Sequence, residues 1–261
     1  MNIRFLGVGA AFATAAYRQS NMLITASSGR RLLLDCGSDA RFALAEEGRA
    51  LHDLLAEIDG VYISHPHADH IGGMEWYAIT TYFAPNLPRP LLIVEEGLAG
   101  PLWENSLRGG LRCIEGRVMS LADYFDCRRV CAGEPFEWEG LTMTAVRMPH
   151  VMTGAVNMYS FGLIIEGGSP GGGVFVTTDT QFAPELLEEI EPRVELIFHD
   201  CETTTHPTGV HAHYDQLRTL PARMREKMWL YHYHSSPPQD PVADGFPGFV
   251  VRGQEFRFGW G

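Results

Sequence analysis

The sequence predicts an α+β sandwich, two β-sheets stacked face to face with helices on their outer sides. Three observations lead there. Short apolar runs of strand character fall into two groups, one in each half of the chain, and segments of helical periodicity follow each group. Glycine, serine and proline punctuate these runs, so the strands are brief and closely connected. At 261 residues the chain is long for one sandwich core and short for two independent domains, so residues 1–261 are read as one layered domain.

The elements follow in order. "IRFLGVGAAF" and "NMLITASSGRRLLLDCG" give three strands, with "SSGRR" as a hairpin turn. "DARFALAEEGRALHDLLAEI" places Phe42, Leu44, Ala45, Leu51, Leu54, Leu55 and Ile58 at helical spacing, interrupted around Gly48. "GVYISH" is a short buried strand, "GGMEWYAITTYF" a helix and "PRPLLIVEE" a proline-bounded strand. Residues 97–131 mix helical pieces with glycines and read as a lid or dimer-contact insertion. "PFEWEGLTMTAVRMPH", "YSFGLIIEGG" and "GGGVFVTTDT" resume the strands, and "GGSPGGG" is a turn between two of them. "APELLEEI" is a helix before the strand "VELIFHDCE". The helix "HYDQLRTLPARMREK" and the strand "MWLYHYH" complete the second half.

Composition narrows the function. A net charge of -12 and a pI near 5.3 oppose a protein that grips long nucleic acid by its backbone, because that needs a positive field. No apolar run approaches the roughly 20 residues of a membrane span, and "MNIRFLGVGAAF" lacks the features of a secretory signal, so a cytoplasmic protein is expected. Five scattered cysteines do not suggest a disulfide framework. Cys127 and Cys131 form a lone C-x-x-x-C, short of the four ligands that structural zinc requires.

The densest chemistry lies in "YISHPHADHIGG", residues 62–73. His65 and His67 are two residues apart at a strand end, which places both side chains on one side. Asp69 and His70 lie just beyond, where the chain turns, and can address a second ion. Imidazole and carboxylate are ligands for zinc and similar ions, so H-x-H-x-D-H is suited to two metals from one loop. Four residues cannot fill two tetrahedral sites, and further ligands are therefore expected downstream. His150 after "LTMTAVRMP", Asp179 after "VFVTT" and His232 after "MWLY" supply them, each at the end of an apolar strand.

With these residues in hand, nearly the whole chain resembles the metallo-β-lactamase superfamily. H-x-H-x-D-H is its signature, "LLLDCG" matches a typical second strand, and the later His, Asp and His come in the family's order. The resemblance implies that one metal takes His65, His67 and His150, that a second takes Asp69, His70 and His232, and that Asp179 bridges them. Two Zn2+ per chain are expected, with Mn2+ or Co2+ as substitutes. Asp35 would hold a ligand imidazole in its tautomer. In the ribonuclease Z-like branch a histidine opening a helix protonates the leaving oxygen. His211 in "GVHAHYDQL" has that place, with His213 as rival and Asp200 in "FHDCETT" as orienter. Asp69 is counted with His211 and Asp200 in the catalytic set.

The bridging Asp179 points to the phosphodiesterase branch, since true lactamases use a cysteine in the second site. "FLGVGAAFATAAYRQSN" resembles the first motif of ribonuclease Z, with Arg18 at that family's arginine. His150 and Asp179 are too close in sequence to house the long arm that grips tRNA there. "LWENSLRGGL", "LADYFD", "TTDTQF", "DCE", "VHAHYDQL" and "YHY" look like the anti-Pycsar enzymes of phages and bacteria, which degrade cyclic mononucleotides. That resemblance implies opening of a cyclic 3',5'-phosphodiester such as cCMP, cUMP, cAMP or cGMP to a nucleoside monophosphate. It also implies a homodimer acting on a small nucleotide, with no membrane partner. The alternatives are a ribonuclease Z-like RNA 3'-processing endonuclease, a lactonase or thioesterase, and a protein that sequesters a nucleotide without cutting it. Tyr82, Phe83 and Trp103 could stack on a base, though aromatics at mixed helical spacing are first of all core candidates. His52 reads as a surface residue. His206 and His234 read as pocket wall or spectators, and Arg112, Arg128 and Arg129 as solvated cations within reach of a phosphate.

Overall fold

A computed structural model describes residues 1–46, 48, 51–166 and 171–260. The first five strands are β1 (Asn2–Phe5), β2 (Met22–Thr25), β3 (Arg31–Leu34), β4 (Gly60–Ile63) and β5 (Leu91–Glu95). Between β3 and β5 lie the helices α1 (Ala40–Ala45), α2 (Leu51–Ala56), α3 (Ala68–Ile71) and α4 (Met74–Phe83). Residues 97–131 divide into several pieces. Helix α5 (Glu96–Pro101) runs through a π-helical stretch, Leu102–Leu107, into α6 (Arg108–Leu111). The ribbon of β6 (Cys113–Ile114) and β7 (Arg117–Val118), then α7 (Leu121–Tyr124), lead to β8 (Asp126–Val130), an edge strand beside β5.

The second half contributes β9 (Pro135–Trp138), β10 (Leu141–Met152), β11 (Asn157–Glu166), β12 (Gly173–Val176), α8 (Pro184–Ile190) and β13 (Val194–Asp200). It closes with α9 (Tyr214–Leu217), α10 (Ala222–Arg225), β14 (Met228–Tyr231), β15 (Gly248–Phe249) and β16 (Glu255–Arg257). One sheet runs β16-β1-β2-β3-β4-β5-β8 and the other β15-β14-β13-β12-β11-β10-β9. Each is mixed: β16 to β3 and β9 to β12 pair antiparallel, whereas β3 to β8 and β12 to β15 pair parallel. Parallel strands bury both faces, and β4 and β12 accordingly read "GVYI" and "GVFV" with every residue buried. This is the expected αββα sandwich. Among the described residues, no helix is long and apolar enough to cross a membrane.

The sheets meet over an aromatic cluster. Phe198 packs edge-on against Phe5 at 4.9 Å and Phe256 at 4.6 Å, and Phe5 against Tyr231 at 5.7 Å. On the outer face of the second sheet, Leu187, Ile190, Leu217 and Met224 seat α8, α9 and α10.

Several expectations are corrected. "HYDQLRTLPARMREK" is two single-turn helices rather than one, because Pro221 has no amide hydrogen and biases Leu220 away from helical geometry. Strand β14 stops at Tyr231, before "HYH". Phe42 does not join the buried face of α1; it is 46% exposed, beneath the guanidinium groups of Arg41 and Arg18. Strand β10 continues past His150 to Met152. The turn assigned to "GGSPGGG", at 167–170, and the side chain of His52 lie outside the described residues.

Phe198→Ala removes the ring that joins both sheets and leaves a cavity in a fully buried place. It should cost about 3–5 kcal/mol of unfolding free energy, read from urea denaturation. A loss under about 1 kcal/mol would show that the sheets do not depend on this contact.

Candidate metal centre

The parallel strands β3, β4, β12, β13 and β14 end at the same edge of the sandwich, and each delivers a polar residue there. This is the usual place for a ligand in sheets with parallel strands. Asp35 follows β3, His65 follows β4, Asp179 follows β12, Asp200 closes β13 and His232 follows β14. Asp35, Thr178 and His232 have φ of 63°, 54° and 60°, a region non-glycine residues rarely occupy. Strained backbone of this sort is held in place by its surroundings and concentrates at functional sites. His150 is placed by another irregularity: the β10–β11 register shifts between Pro149 and Val151, and the bulge re-aims the side chain.

The histidine loop is fixed by close backbone approach. Cys36 donates its amide to His70 O at 2.7 Å, and Gly73 donates to Cys36 O at 2.8 Å. A Cβ on Gly37 would lie 2.1 Å from Asp69 O, so only glycine allows this approach.

Hydrogen bonds then set the tautomers. Asp35, 1% exposed, accepts from Ser64 N at 2.8 Å and Ser64 Oγ at 2.7 Å, and its Oδ2 lies 2.7 Å from His70 Nδ1. The Ser64 hydroxyl, its hydrogen spent on Asp35, accepts from His65 Nδ1 at 2.9 Å. His150 Nδ1 donates to Val210 O at 3.0 Å. The Nε2 atoms of His65, His70 and His150 are thereby left as lone pairs in the neutral rings.

Two donor sets result. His65 Nε2, His67 Nδ1 and His150 Nε2 converge with Asp179 Oδ2; His67 Nδ1 is 3.1 Å from His65 Nε2 and 3.0 Å from His150 Nε2. The Asp179 Oδ2 atom is 3.5 Å from His65 Nε2 and 3.8 Å from His150 Nε2. In the second set, Asp179 Oδ1 is 3.2 Å from His70 Nε2 and 3.3 Å from His232 Nε2, while Asp69 Oδ2 is 3.4 Å and 3.3 Å from the same nitrogens. A tetrahedral metal with bonds of about 2.0–2.1 Å separates its ligands by about 3.3 Å, so both sets have suitable spacing. His70 Nε2 and Asp179 Oδ1 are buried without hydrogen-bond partners, an unfavourable state that a shared cation relieves. The donor chemistry and these orphan atoms fit the expected group.

Electrostatics divides the sets. In the first, burial and then neighbouring imidazoles hold His65 well below its usual range, and His150 falls to about 4, chiefly through burial. In the second, burial opposes the charge on His232, but Asp179, Asp200 and Asp69 outweigh it and push the ring up to about 10. His70 is raised likewise against its burial by Asp179, Asp69 and Asp35. Burial works against ionisation of Asp179 as well, yet His232, His70 and His65 hold its carboxyl well below the carboxylate range.

Beside the bridge stands a third group. His211 Nδ1 is 2.7 Å from Asp200 Oδ2, and the ring lies 5.3 Å from that of His150 and 4.9 Å from that of His232. Asp200 Oδ2 also accepts from Thr180 N at 2.9 Å, and Asp200 Oδ1 lies 3.2 Å from His232 Nδ1. Against the effect of its burial, the Asp200 charge and hydrogen bond raise the pKa of His211. His213 is differently used. Its Nδ1 accepts from Asp215 N at 3.2 Å as the cap of α9, and its Nε2 donates to Thr204 O at 2.8 Å.

All the singled-out ligands are thus brought together, with Asp35, Asp200 and His211 around them. Other candidates lie elsewhere. Arg18 pairs with Glu46 at 2.5 Å, Arg128 donates to Glu137 O, and Tyr82 takes a hydrogen bond from Arg117. Phe83, Arg112 and His206 are exposed, Trp103 and His234 are partly buried, and Cys127 and Cys131 are unpaired thiols. Sequence reasoning missed Ser64, although a hydroxyl directly before the first ligand was a signal. It could not find the Val210 carbonyl, because every residue has one.

In the metal-free protein these shifts set a pH optimum of stability. His150, near 4 in the fold and about 6.5 unfolded, contributes stability that is present above 6.5 and lost as pH falls through 4. His232, near 10 in the fold, contributes stability that is complete below 6.5 and lost as pH rises through 10. The urea midpoint of metal-free protein should therefore peak near pH 6.5, and His150→Gln should flatten the acid limb. A midpoint that rises steadily toward pH 5 would contradict this electrostatic division.

Comparison with known proteins agrees with this geometry. The sequence pattern of the family described as "Anti-Pycsar protein Apyc1" matches residues 1–256. An anti-Pycsar protein Apyc1 of Bacillus phage vB_BveM-Goe7 is 34% identical over 265 residues, 97% of this chain and 96% of the phage protein. One from Paenibacillus harenae is 36% identical over 235 residues, 89% of this chain and 90% of the relative. The metallo-β-lactamase fold protein YhfI of Bacillus subtilis superposes with a TM-score of 0.72 at 16% identity, covering 98% of this chain and 99% of its own. The fold is that of the metallo-β-lactamases.

Proposed function

Because the chain belongs to the anti-Pycsar protein Apyc1 family, we propose that it is a metal-dependent phosphodiesterase that opens cyclic 3',5'-mononucleotides to nucleoside monophosphates and so counters cyclic-nucleotide signalling. The observation that carries this reading is Asp179, whose two oxygens face two separate donor sets with the His211–Asp200 pair alongside. His65, His67 and His150 would hold one Zn2+, Asp69, His70 and His232 the other, with Asp179 shared and Mn2+ or Co2+ as substitutes. Bound there, two such ions neutralise phosphate charge and lower the pKa of water, which makes a nucleophile available at neutral pH.

The chain's own groups do the rest. Water adds to phosphorus, one ring P–O bond breaks, and the departing ribose oxygen needs a proton. His211 supplies it, as an imidazole at this edge that belongs to neither metal set in this reading and whose protonated form the Asp200 carboxylate favours. Asp200 is fully buried and fixed by Thr180 N, so it orients His211 without competing for the substrate. His213, with both nitrogens in local hydrogen bonds, serves the loop.

A small substrate suits the molecule better than RNA. Among its described residues the segment between His150 and Asp179 runs through the end of β10, β11 and β12, with no arm to grip tRNA, and the net charge of the chain is -12. We include in the proposal a cytoplasmic homodimer. Val118, 74% exposed in the ribbon within 97–131, and Phe12, 90% exposed, offer apolar surface for a second copy.

Asp179→Ala and His232→Ala should abolish turnover of cCMP, cUMP, cAMP and cGMP while far-ultraviolet circular dichroism stays that of a folded chain. His211→Ala should keep its metal, measured by emission spectroscopy, and lose about 10²–10⁴-fold in kcat. Retained turnover in Asp179→Ala, or cleavage of a tRNA precursor or a lactone in place of the cyclic nucleotides, would overturn the reading.

A further inference from the structure

A cleft of about 610 Å³ opens beside the histidine loop, within the range of small-ligand sites. Pro66, the residue between His65 and His67, forms part of its wall, so the cleft borders the loop that carries the first histidines. A second large cleft, of about 550 Å³ around Ala132, Glu189 and Arg193, takes in no residue of that loop.

One side of the cleft is built by β10 and β11. The Arg147 guanidinium lies 5.0 Å from the ring centroid of Tyr159, and among the described residues no carboxylate pairs with it. The Tyr159 ring and this guanidinium make one π-rich wall that carries a positive charge, and the Glu95 carboxylate lines the same cleft. Another part of the lining is the helical run from α5. Its start is pinned by Glu95, which accepts from Gly97 N at 2.8 Å and Leu98 N at 3.1 Å. The π-helical stretch widens that run, a local feature common at functional sites, and there Asn105 and Ser106 line the cleft with side chains able to donate and accept.

Flat walls of this chemistry match a nucleobase, which stacks on guanidinium and aromatic faces and shows amide-like edges. A phosphate would need an array of edge-on donors, and Arg147 is the one cation in the lining. We infer that the cleft between Arg147–Tyr159 and Asn105–Ser106 is the base subsite of this enzyme, holding the nucleobase while the phosphodiester lies at the metal centre. This rests on the reading of the protein as a cyclic nucleotide phosphodiesterase. The stacking wall accepts any base, and selection among bases falls to Asn105 and Ser106.

The test has two arms. The first compares kcat/KM for cCMP with that for 1-methylribose 3',5'-cyclic phosphate, which keeps the ring and lacks the base. In Arg147→Met and Tyr159→Leu the ratio should fall about tenfold, the size of a lost stacking contact. A ratio within twofold of wild type in both variants overturns the subsite. The second arm photolabels metal-free protein with 8-azido-cAMP and maps the modified peptide. Labelling within 98–106 or 147–161 supports the inference, and labelling elsewhere, or spread evenly over the chain, overturns it. Wild-type protein that turns over neither diester defeats the phosphodiesterase reading, and the labelling arm then judges the cleft alone.

Discussion

The buried carboxylate of Asp35 is the constraint on which the site depends. It is held at positive φ at the end of β3, and it accepts the backbone and hydroxyl hydrogens of Ser64 while facing Nδ1 of His70. Through Ser64 it also fixes His65, so one side chain settles a ring in each donor set. Burying a carboxyl group is costly unless it finds hydrogen-bond partners, and here three donors meet its two oxygens. The remaining features, from the glycine contact at Gly37 to the carbonyl that turns His150, complete an arrangement whose first element is this side chain.

Much of this was legible in the sequence, for particular reasons. The H-x-H-x-D-H string and the later His150, Asp179 and His232 were visible because parallel strands deliver side chains at their C-terminal ends, and apolar runs mark where those ends fall. Strands β4 and β12, buried on both faces, are continuous apolar runs, so their limits were clear. Strands β15 and β16, of two and three residues, are too short to show any period. The split of the last helix was readable in principle from Pro221, but helical spacing on both sides of it obscured the break. Phe42 misled because an aromatic at helical spacing reads as core, while cations can cover it as well.

The roles of His211 and His213 show where sequence stops. Two imidazoles two residues apart in "HAH" are equivalent on paper. In the fold, the chain's path through the cap of α9 gives one of them to Asp200 and the other to the backbone. Hydrogen-bond partners from distant segments made the distinction, and no local pattern encodes them.

The donor sets draw on both sheets: His65, His67, Asp69 and His70 leave the first, and His150, Asp179 and His232 the second. The contact between Asp69 and His232 spans 163 residues. Closing so long a loop carries an entropic cost that only docking of the two halves repays. A chain still short of its second half therefore holds the H-x-H-x-D-H loop without either complete donor set. In chain order the first donor set is complete at Asp179 and the second only at His232, so the whole centre reports on the docking of the two sheets.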